Sequence, residues 1–196
     1  MEFTELLSQK NILIVVTGIS CSGKTTLANK IKGFVKDAIL ISGDDYKVEL
    51  YNQYGFNDKH EKAVLRELAL AKFRAEIMLY ARTGLPLIID YQFDLTWSRF
   101  LHFIRDRYSY TTIVIQCQSL SFDELWERRL KRDFNSLLRD RCLTASKYFL
   151  ETGEYERDES KYDEISRIAH RESYESGKYT ELKGHYTFQD NEINIK

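Results

Sequence analysis

The stretch Ile12-Leu13-Ile14-Val15-Val16-Thr17-Gly18-Ile19-Ser20-Cys21-Ser22-Gly23-Lys24-Thr25 decides the fold of this chain. Its first part is a β-branched apolar block, too short for a helix and typical of a strand buried on both faces. Its second part, residues 18–25, matches the pattern G-x-x-x-x-G-K-[ST] in full. Leu27 and Ile31 follow at helical spacing before Gly33. We therefore predict a strand, a glycine-rich loop and a helix that begins near Lys24.

The glycine-rich loop has the composition of a phosphate-binding site. Its glycines allow successive main-chain N–H groups to point inward, and the following helix adds the positive end of its dipole. Lys24 would bring a mobile positive charge to the β- and γ-phosphates, and the Thr25 hydroxyl would ligate Mg²⁺. For Cys21, a small side chain directed away from the phosphates is a simpler interpretation than a redox role. The predicted nucleotide-binding residues are Gly18, Ile19, Ser20, Cys21, Ser22, Gly23, Lys24, Thr25 and Thr26.

Two further strands end in carboxylates. The run Leu87-Ile88-Ile89-Asp90 resembles the strand that places a metal-holding Asp beside a phosphate loop, although an Asp at this position is also an ordinary turn or cap residue. The run Ile41–Lys47 places Asp44 and Asp45 after another strand, and ligands of open parallel sheets lie outside the carboxyl ends of the strands. We predict Asp90 as a metal ligand and Asp44 as the catalytic base, with Asp45 as a helix cap or the alternative base.

Aromatic side chains near these strand ends are candidates for contact with an acceptor substrate. Tyr46 and Tyr91 are the two predicted to line its site together with Asp44 and Asp45. Tyr51, Tyr54 and Phe93 lie nearby in sequence and fit either a stacking role or the core.

An arginine-rich stretch follows the fourth predicted strand. Helical spacing places Arg128, Arg132 and Arg139 roughly along one face, where guanidinium groups could close over a triphosphate and stabilise the charge of a transferred phosphoryl group. A solvated basic helix paired with nearby acids is the alternative. With the phosphate loop present, we predict an arginine-rich helical lid at about residues 128–147, in which Arg128 and Arg132 contact ATP.

Apolar runs alternate with helical patterns along the remaining chain, as expected for an α/β protein with a parallel sheet covered on both faces. Predicted strands cover Ala38–Ser42, Leu85–Ile89 and Thr111–Cys117. The longest predicted helix follows a capping-box pattern at Asp58–Glu61, and a second capping box opens at Ser121. The predicted apolar face of the longest helix consists of Val64, Leu68, Ala71, Ala75 and Met78, widened by Leu70, Phe73 and Ile77. Beyond Tyr148 the pattern predicts a last strand within Tyr186–Ile195 and a charged surface helix at about 154–175, with the apolar anchors Ile165, Ile168 and Ala169.

Composition excludes several classes of protein. The chain of 196 residues contains 29 Lys and Arg against 30 Asp and Glu, so it lacks the net positive charge of a general nucleic-acid binder. No apolar run reaches the length needed to cross a bilayer, and the N-terminus does not resemble a signal peptide, so we expect a cytoplasmic protein. Its 3 cysteines form no metal-binding pattern and are expected to be reduced. Self-association to a homodimer is left open.

The motifs together resemble those of P-loop kinases that phosphorylate small molecules. The loop GISCSGKTT, the strand end ISGDDYK and the later RRLKRD with RDR are similar to uridine kinase and phosphoribulokinase-like enzymes over about residues 10–141. The resemblance implies one three-layer αβα domain over residues 1–196, strand order 2-3-1-4-5, Asp44 as the base and a lid with Arg128, Arg132 and Arg139 or Arg141. It also implies ATP and Mg²⁺ as cofactors and a hydroxyl of a small molecule, such as uridine, as acceptor.

The segment Tyr54-Gly55-Phe56-Asn57-Asp58 is instead similar to adenylylsulfate kinase or to the zeta-toxin and chloramphenicol phosphotransferase group. The acceptor therefore stays open at this stage, as does the use of ATP or GTP. A GTPase switch is disfavoured because Asn29-Lys30 does not continue as N-K-x-D and no D-x-x-G follows Asp90. A non-catalytic ATP-binding regulatory module is the remaining alternative, and the C-terminal 50 or so residues match no family.

Overall fold

The structure is a computed structural model that describes residues 10–56, 59–117, 120–134, 159–177, 186–189 and 192–195. Its strands are β1 (Ile12–Thr17), β2 (Ile39–Ser42), β3 (Leu87–Asp90), β4 (Thr111–Cys117), β5 (Tyr186–Gln189) and β6 (Glu192–Ile195). Its helices are α1 (Lys24–Phe34), α2 (Gly43–Tyr54), α3 (Lys59–Ala81), α4 (Ser98–Tyr108), α5 (Phe122–Phe134) and α6 (Glu159–Glu175), and a short 3₁₀ turn at Leu95–Trp97 precedes α4. Among the described helices, none has an apolar stretch long enough to span a membrane.

The strands form one sheet in the order β2-β3-β1-β4-β5-β6, which confirms the predicted order 2-3-1-4-5. The first five strands are parallel, and β6 is antiparallel to β5. The single strand predicted within Tyr186–Ile195 is thus two short strands that form a hairpin. Parallel neighbours align their carboxyl ends, and the register pairs Val16 of β1 with Asp90 of β3.

Strand β1 is the centre of the sheet and is buried along its whole length. Ile12, Ile14 and Val16 pack in one cluster with α1, through Leu27 and Ile31 among others. Because side chains alternate along a strand, Leu13 and Val15 point to the opposite face, and both are also fully buried. Burial on both faces explains the continuous apolar sequence of β1 and confirms the three-layer αβα fold.

Helices α2 and α3 differ from the sequence-based expectation in two ways. The sequence analysis assigned no helix to residues 43–54, whereas the structure forms α2 there. On α3 the apolar pattern is two-sided: Phe73 and Ile77 are buried, while Val64 and Leu68, which belong to the predicted apolar face, are about half exposed. The predicted capping box of α3 includes Asp58, which lies outside the described residues.

The described residues divide into two compact units. Unit 1 takes its residues from Met1–Ser42, Arg74–Leu120 and Gly177–Lys196, and unit 2 from Gly43–Phe73 and Ser121–Ser176. Unit 1 contains the whole sheet and the phosphate loop. Unit 2 contains α2, most of α3 and the arginine-rich helix α5.

Within unit 2, helix α6 packs on α5 through aromatic side chains. Tyr174 contacts Phe122 with ring centroids 5.9 Å apart, and His170 contacts Trp126 with centroids 6.0 Å apart. The predicted surface helix is confirmed over Glu159–Glu175, but one of its expected apolar anchors, Ile168, is 53% exposed. Aromatic contacts therefore contribute to the packing of α6 on α5.

Candidate functional site

The loop between β1 and α1 has the backbone of a concave anion-binding turn. Gly18 has φ 141°, Cys21 has φ 66° and Gly23 has φ 94°, so residues with positive φ recur along it. Such alternation turns successive N–H groups toward one side of the loop. The sequence placed Cys21 in the loop but gave no sign that this non-glycine residue adopts the left-handed conformation.

Gly18 is required at its position for a second reason. A Cβ built on it would lie 2.9 Å from the carbonyl oxygen of Cys117 and 3.0 Å from the Ser22 hydroxyl. The loop therefore passes directly against the end of β4. The Ser22 hydroxyl itself is buried and has no hydrogen bond of regular geometry, although it lies close enough to the Cys117 thiol to lower the pKa of that group.

Helix α1 begins at the loop without a competing anion. Its N-cap, Gly23, has no side-chain capping hydrogen bond, and the first turn contains no acidic residue. The positive dipole end of α1 is thus not compensated by a capping side chain or by an acid of its own first turn. A bound phosphate would be stabilised at this end of the helix.

Lys24 is held over the loop by the main chain. The residue is 8% exposed, and its Nζ donates to the carbonyl oxygen of Ile19 at 2.9 Å. The ammonium is therefore placed within the loop that the sequence analysis assigned to it. The neighbouring Thr26 is exposed.

Thr25 and Asp90 are brought together, as predicted from their separate motifs. The Thr25 hydroxyl donates to Oδ2 of Asp90 at 2.6 Å, and Asp90 is 3% exposed. The register of β1 and β3 explains the contact, because Asp90 pairs with Val16 immediately before the loop. A hydroxyl and a carboxylate in contact are oxygen donors of the kind that Mg²⁺ prefers. Among the described residues, no cluster of three or more His, Cys, Asp or Glu side chains offers an alternative metal site.

Cys117 lies beside the loop but is not a reactive thiol. Burial raises the pKa of Cys117 to about 11, against smaller lowering effects of Lys24 and Ser22. A thiol that remains protonated at neutral pH is a weak nucleophile. Neither Cys117 nor Cys21 forms a disulfide with another described residue.

The chain after β3 is hydrogen-bonded to the end of β1, the strand that leads into the loop. The sequence analysis did not predict this contact. The Thr17 hydroxyl accepts from the main-chain N–H of Phe93 at 3.1 Å and lies 3.4 Å from the carbonyl oxygen of the same residue. The N–H of Tyr91 donates to the carbonyl oxygen of Val16 at 3.3 Å. Of the aromatic candidates here, Phe93 is fully buried and Tyr91 is half-buried.

In unit 2, Asp44 and Asp45 lie in the first turn of α2, so Asp45 is not the helix cap that the sequence allowed. Asp44 is exposed and accepts from Nζ of Lys47 at 2.9 Å. Partial burial, followed by the charge of Asp44, raises the pKa of Asp45. Tyr46 is half-buried against Phe73, with ring centroids 5.7 Å apart.

The predicted lid is described only at its beginning. Arg128 is exposed on α5, only the backbone is described at Arg132, and Arg139 and Arg141 lie outside the described residues. Arg129, which the sequence analysis did not select, is 4% exposed and lies 5.9 Å from the centroid of the Trp126 ring. Helical spacing alone did not show which arginine of this stretch is buried.

Comparison with known proteins gives two findings on sequence. The adenylylsulphate kinase family profile matches residues 10–81. Adenylyl-sulfate kinase of Penicillium chrysogenum is 34% identical over 107 residues, which cover 52% of this chain and 50% of that relative. The chain thus spans half the length of that relative.

Solved structures share the architecture over a larger part of the chain. A candidate kinase from Chloroflexus aurantiacus superposes with a TM-score of 0.61 at 22% identity, covering 82% of this chain and 80% of the other. A structure of the PezAT toxin–antitoxin system of Streptococcus pneumoniae gives a TM-score of 0.52 at 18% identity, with coverages of 76% and 67%. Together with the phosphate loop, these similarities show that the chain has the fold of the P-loop kinases and that residues 10–81 are similar to adenylylsulphate kinases.

Proposed function

We propose that this protein is an ATP-dependent phosphotransferase that moves the γ-phosphoryl group of ATP to a hydroxyl group of a small molecule. The observation that supports this most directly is the contact between the Thr25 hydroxyl and Asp90, 2.6 Å apart, beside a loop whose helix has no capping side chain. A metal-binding pair next to an uncapped helix N-terminus is what a bound nucleotide triphosphate requires.

In this proposal the loop N–H groups and Lys24 bind the β- and γ-phosphates. Lys24 already lies inside the loop on the carbonyl oxygen of Ile19, so little reorganisation is needed to bring its charge to a phosphate. The Thr25 hydroxyl and the Asp90 carboxylate would hold Mg²⁺. When bound, this ion supplies positive charge to the phosphate oxygens.

Asp44 is proposed as the general base. It would accept the proton of the acceptor hydroxyl as that oxygen forms a bond to the γ-phosphorus. The bond between the γ-phosphorus and the bridging oxygen to the β-phosphate breaks, and ADP leaves with that electron pair. Arg128 and Arg132 are proposed to stabilise the charge on the transferred group.

The acceptor is the open part of the proposal. Uridine or another nucleoside remains a prediction from the sequence. The family profile and the relative that match in sequence are both of adenylylsulphate kinases and not of nucleoside kinases. Adenylyl sulfate enters the set of acceptors because residues 10–81 match the adenylylsulphate kinase family. Sugars and hydroxyl-bearing antibiotics complete the set, in line with the zeta-toxin and chloramphenicol phosphotransferase resemblance.

The test is an ADP-release assay with MgATP and each acceptor in turn, on wild type, Lys24→Ala and Lys32→Ala. Lys32 lies on the same helix and is exposed, so its loss controls for a general charge effect. We expect release with at least one acceptor, abolished in Lys24→Ala and retained in Lys32→Ala. Equal turnover in Lys24→Ala would refute the assignment, and ATP binding without release for any acceptor would favour the regulatory module.

A further inference from the structure

Four aromatic rings follow the Asp90 end of β3 and pack on one another within unit 1. Trp97 is their centre: its ring lies 5.5 Å from that of Tyr91, 5.2 Å from that of Phe93 and 5.8 Å from that of Phe100, measured between centroids. We refer to Tyr91, Phe93, Trp97 and Phe100 as the aromatic cluster. Trp97 is 4% exposed.

The aromatic cluster is fixed to the phosphate loop through the main chain. Tyr91 directly follows Asp90, and the Thr17 hydroxyl binds the main chain of Phe93 one residue before Gly18. These contacts place the cluster next to the residues proposed to bind the nucleotide.

Arg74 of α3 lies against this cluster and has one buried donor without a partner. Its guanidinium carbon lies 4.5 Å from the centroid of the Trp97 ring. Its Nε is buried and has no hydrogen-bond partner, and no carboxylate of the described residues forms an ion pair with it. A cation–π contact of this kind with Trp97 uses none of the guanidinium N–H donors in a hydrogen bond.

Burying a hydrogen-bond donor of a charged group costs free energy unless an acceptor binds it. Arg is also the side chain best suited to planar, two-pronged binding of carboxylate, sulfate or phosphate. We propose that Arg74 is a substrate-binding residue that receives an oxyanion group of the phosphoryl acceptor beside Trp97. This inference rests on the proposed phosphotransferase function and narrows its acceptor to hydroxyl compounds that also carry a negative charge.

The experiment uses Trp97 as a reporter. The chain has 2 Trp residues, so a Trp126→Phe background leaves Trp97 as the single indole. The phosphate loop of this protein is first filled by titration with MgADP, and MgADP binding is measured by thermal shift. It is then titrated with inorganic sulfate, inorganic phosphate or acetate while Trp97 emission is recorded. The same titrations are run on Arg74→Gln, Arg74→Lys and Arg99→Gln, the last being an exposed arginine on α4.

We expect a saturable change in Trp97 emission with at least one anion, unchanged in Arg99→Gln and weakened on the order of 10- to 100-fold in Arg74→Gln. The anion that binds most tightly distinguishes a carboxylate from a sulfate or phosphate group. Absence of any response in the parent protein, or an equal response in Arg74→Gln, would overturn the inference. If Arg74→Gln does not fold, the emission changes of the parent protein and of Arg74→Lys, which retains the charge, are compared instead. Failure of MgADP to bind would refute the proposed function separately.

Discussion

At the scale of single residues, the candidate general base has two possible assignments, because Asp44 and Asp45 are neighbouring carboxylates. Asp44 is paired with Lys47, whereas Asp45 has a raised pKa through partial burial and the charge of Asp44. A raised pKa favours proton acceptance at neutral pH, and an ion pair disfavours it. These two effects favour Asp45, whereas the sequence motif favours Asp44, so substitution is needed to distinguish the two carboxylates.

We predict that Asp44→Asn slows phosphoryl transfer on the order of 10²- to 10⁴-fold and leaves ATP affinity nearly unchanged. Asp45→Asn is the matched control, since it removes an equal charge from the same helical turn. Single-turnover rates and nucleotide titrations check both variants. Loss of transfer in Asp45→Asn with normal transfer in Asp44→Asn would assign the base to Asp45.

A second prediction at this scale concerns Gly18. Gly18→Ala would place a methyl group 2.9 Å from the Cys117 carbonyl oxygen at φ 141°, a conformation that is strained for a side chain. We predict a loss of about 1 to 3 kcal/mol in the free energy of unfolding, measured by urea denaturation. Gly33→Ala is the control, because its added methyl group meets open space at the end of α1 and should be neutral or stabilising.

At the scale of secondary-structure elements, most of unit 1 was predictable because each strand has a local signal. β1 and β4 combine β-branched residues with clear boundaries, and the predicted strand Thr111–Cys117 is confirmed. The capping box at Ser121 is also confirmed, since the N–H of Ser121 donates to the Glu124 carboxylate at 2.9 Å. These signals lie within a few residues of the element that they define.

Elements whose pattern depends on distant contacts were predicted less well. Residues 43–54 form α2 although glycine and two acids at its start are also typical of a loop, and acids in a first turn favour a helix only once the helix exists. On α3, apolar residues occur on both faces, so periodicity could not distinguish the buried face from the exposed one. The pairing of Arg74 with Trp97 joins residues 23 positions apart in sequence and had no local signal.

The hydrogen bond between Tyr110, just before β4, and Leu85, just before β3, gives a pH-dependent prediction. The Tyr110 hydroxyl donates to the Leu85 carbonyl oxygen at 2.7 Å, and burial raises the pKa of Tyr110 from its ordinary value of 10.0 to about 12. Because the folded state favours the neutral phenol, its contribution to stability is complete below pH 10 and is lost as the pH rises through 12.

Tyr110→Phe should therefore destabilise the protein by about 1 kcal/mol at pH 8, since it removes one buried hydrogen bond. The difference from wild type should shrink above pH 10 and then reverse. Urea denaturation at a series of pH values from 8 to 11 measures it. A difference that is constant over this range would contradict the assignment of the hydroxyl to a buried hydrogen bond.

At the scale of the whole molecule, the C-terminal hairpin completes the sheet. β5 pairs with β4 through Ile115, Gln116 and Cys117, and β6 pairs only with β5. Removal of residues 178–196 would leave β4, the strand that contacts Gly18, as an unpaired edge. An exposed edge strand is a site for pairing with other chains.

We predict that the chain truncated after Gly177 self-associates and unfolds at lower urea concentration than the full chain. Truncation after Gln189 removes β6 alone and should have the smaller effect, because β5 still covers β4. Size-exclusion chromatography with light scattering and urea denaturation compare the two. Equal behaviour of both truncated chains would show that β5 does not protect β4.

The central position of β1 has a consequence for how the protein fluctuates. β1 is hydrogen-bonded to β3 on one edge and to β4 on the other, so its amide protons should exchange with deuterium only when the sheet as a whole opens. The glycine-rich turn at its end lies beyond the register of both strand pairs. The loop proposed to bind phosphate therefore follows directly on the most protected strand, and an exchange time course should show faster labelling from Gly18 onward.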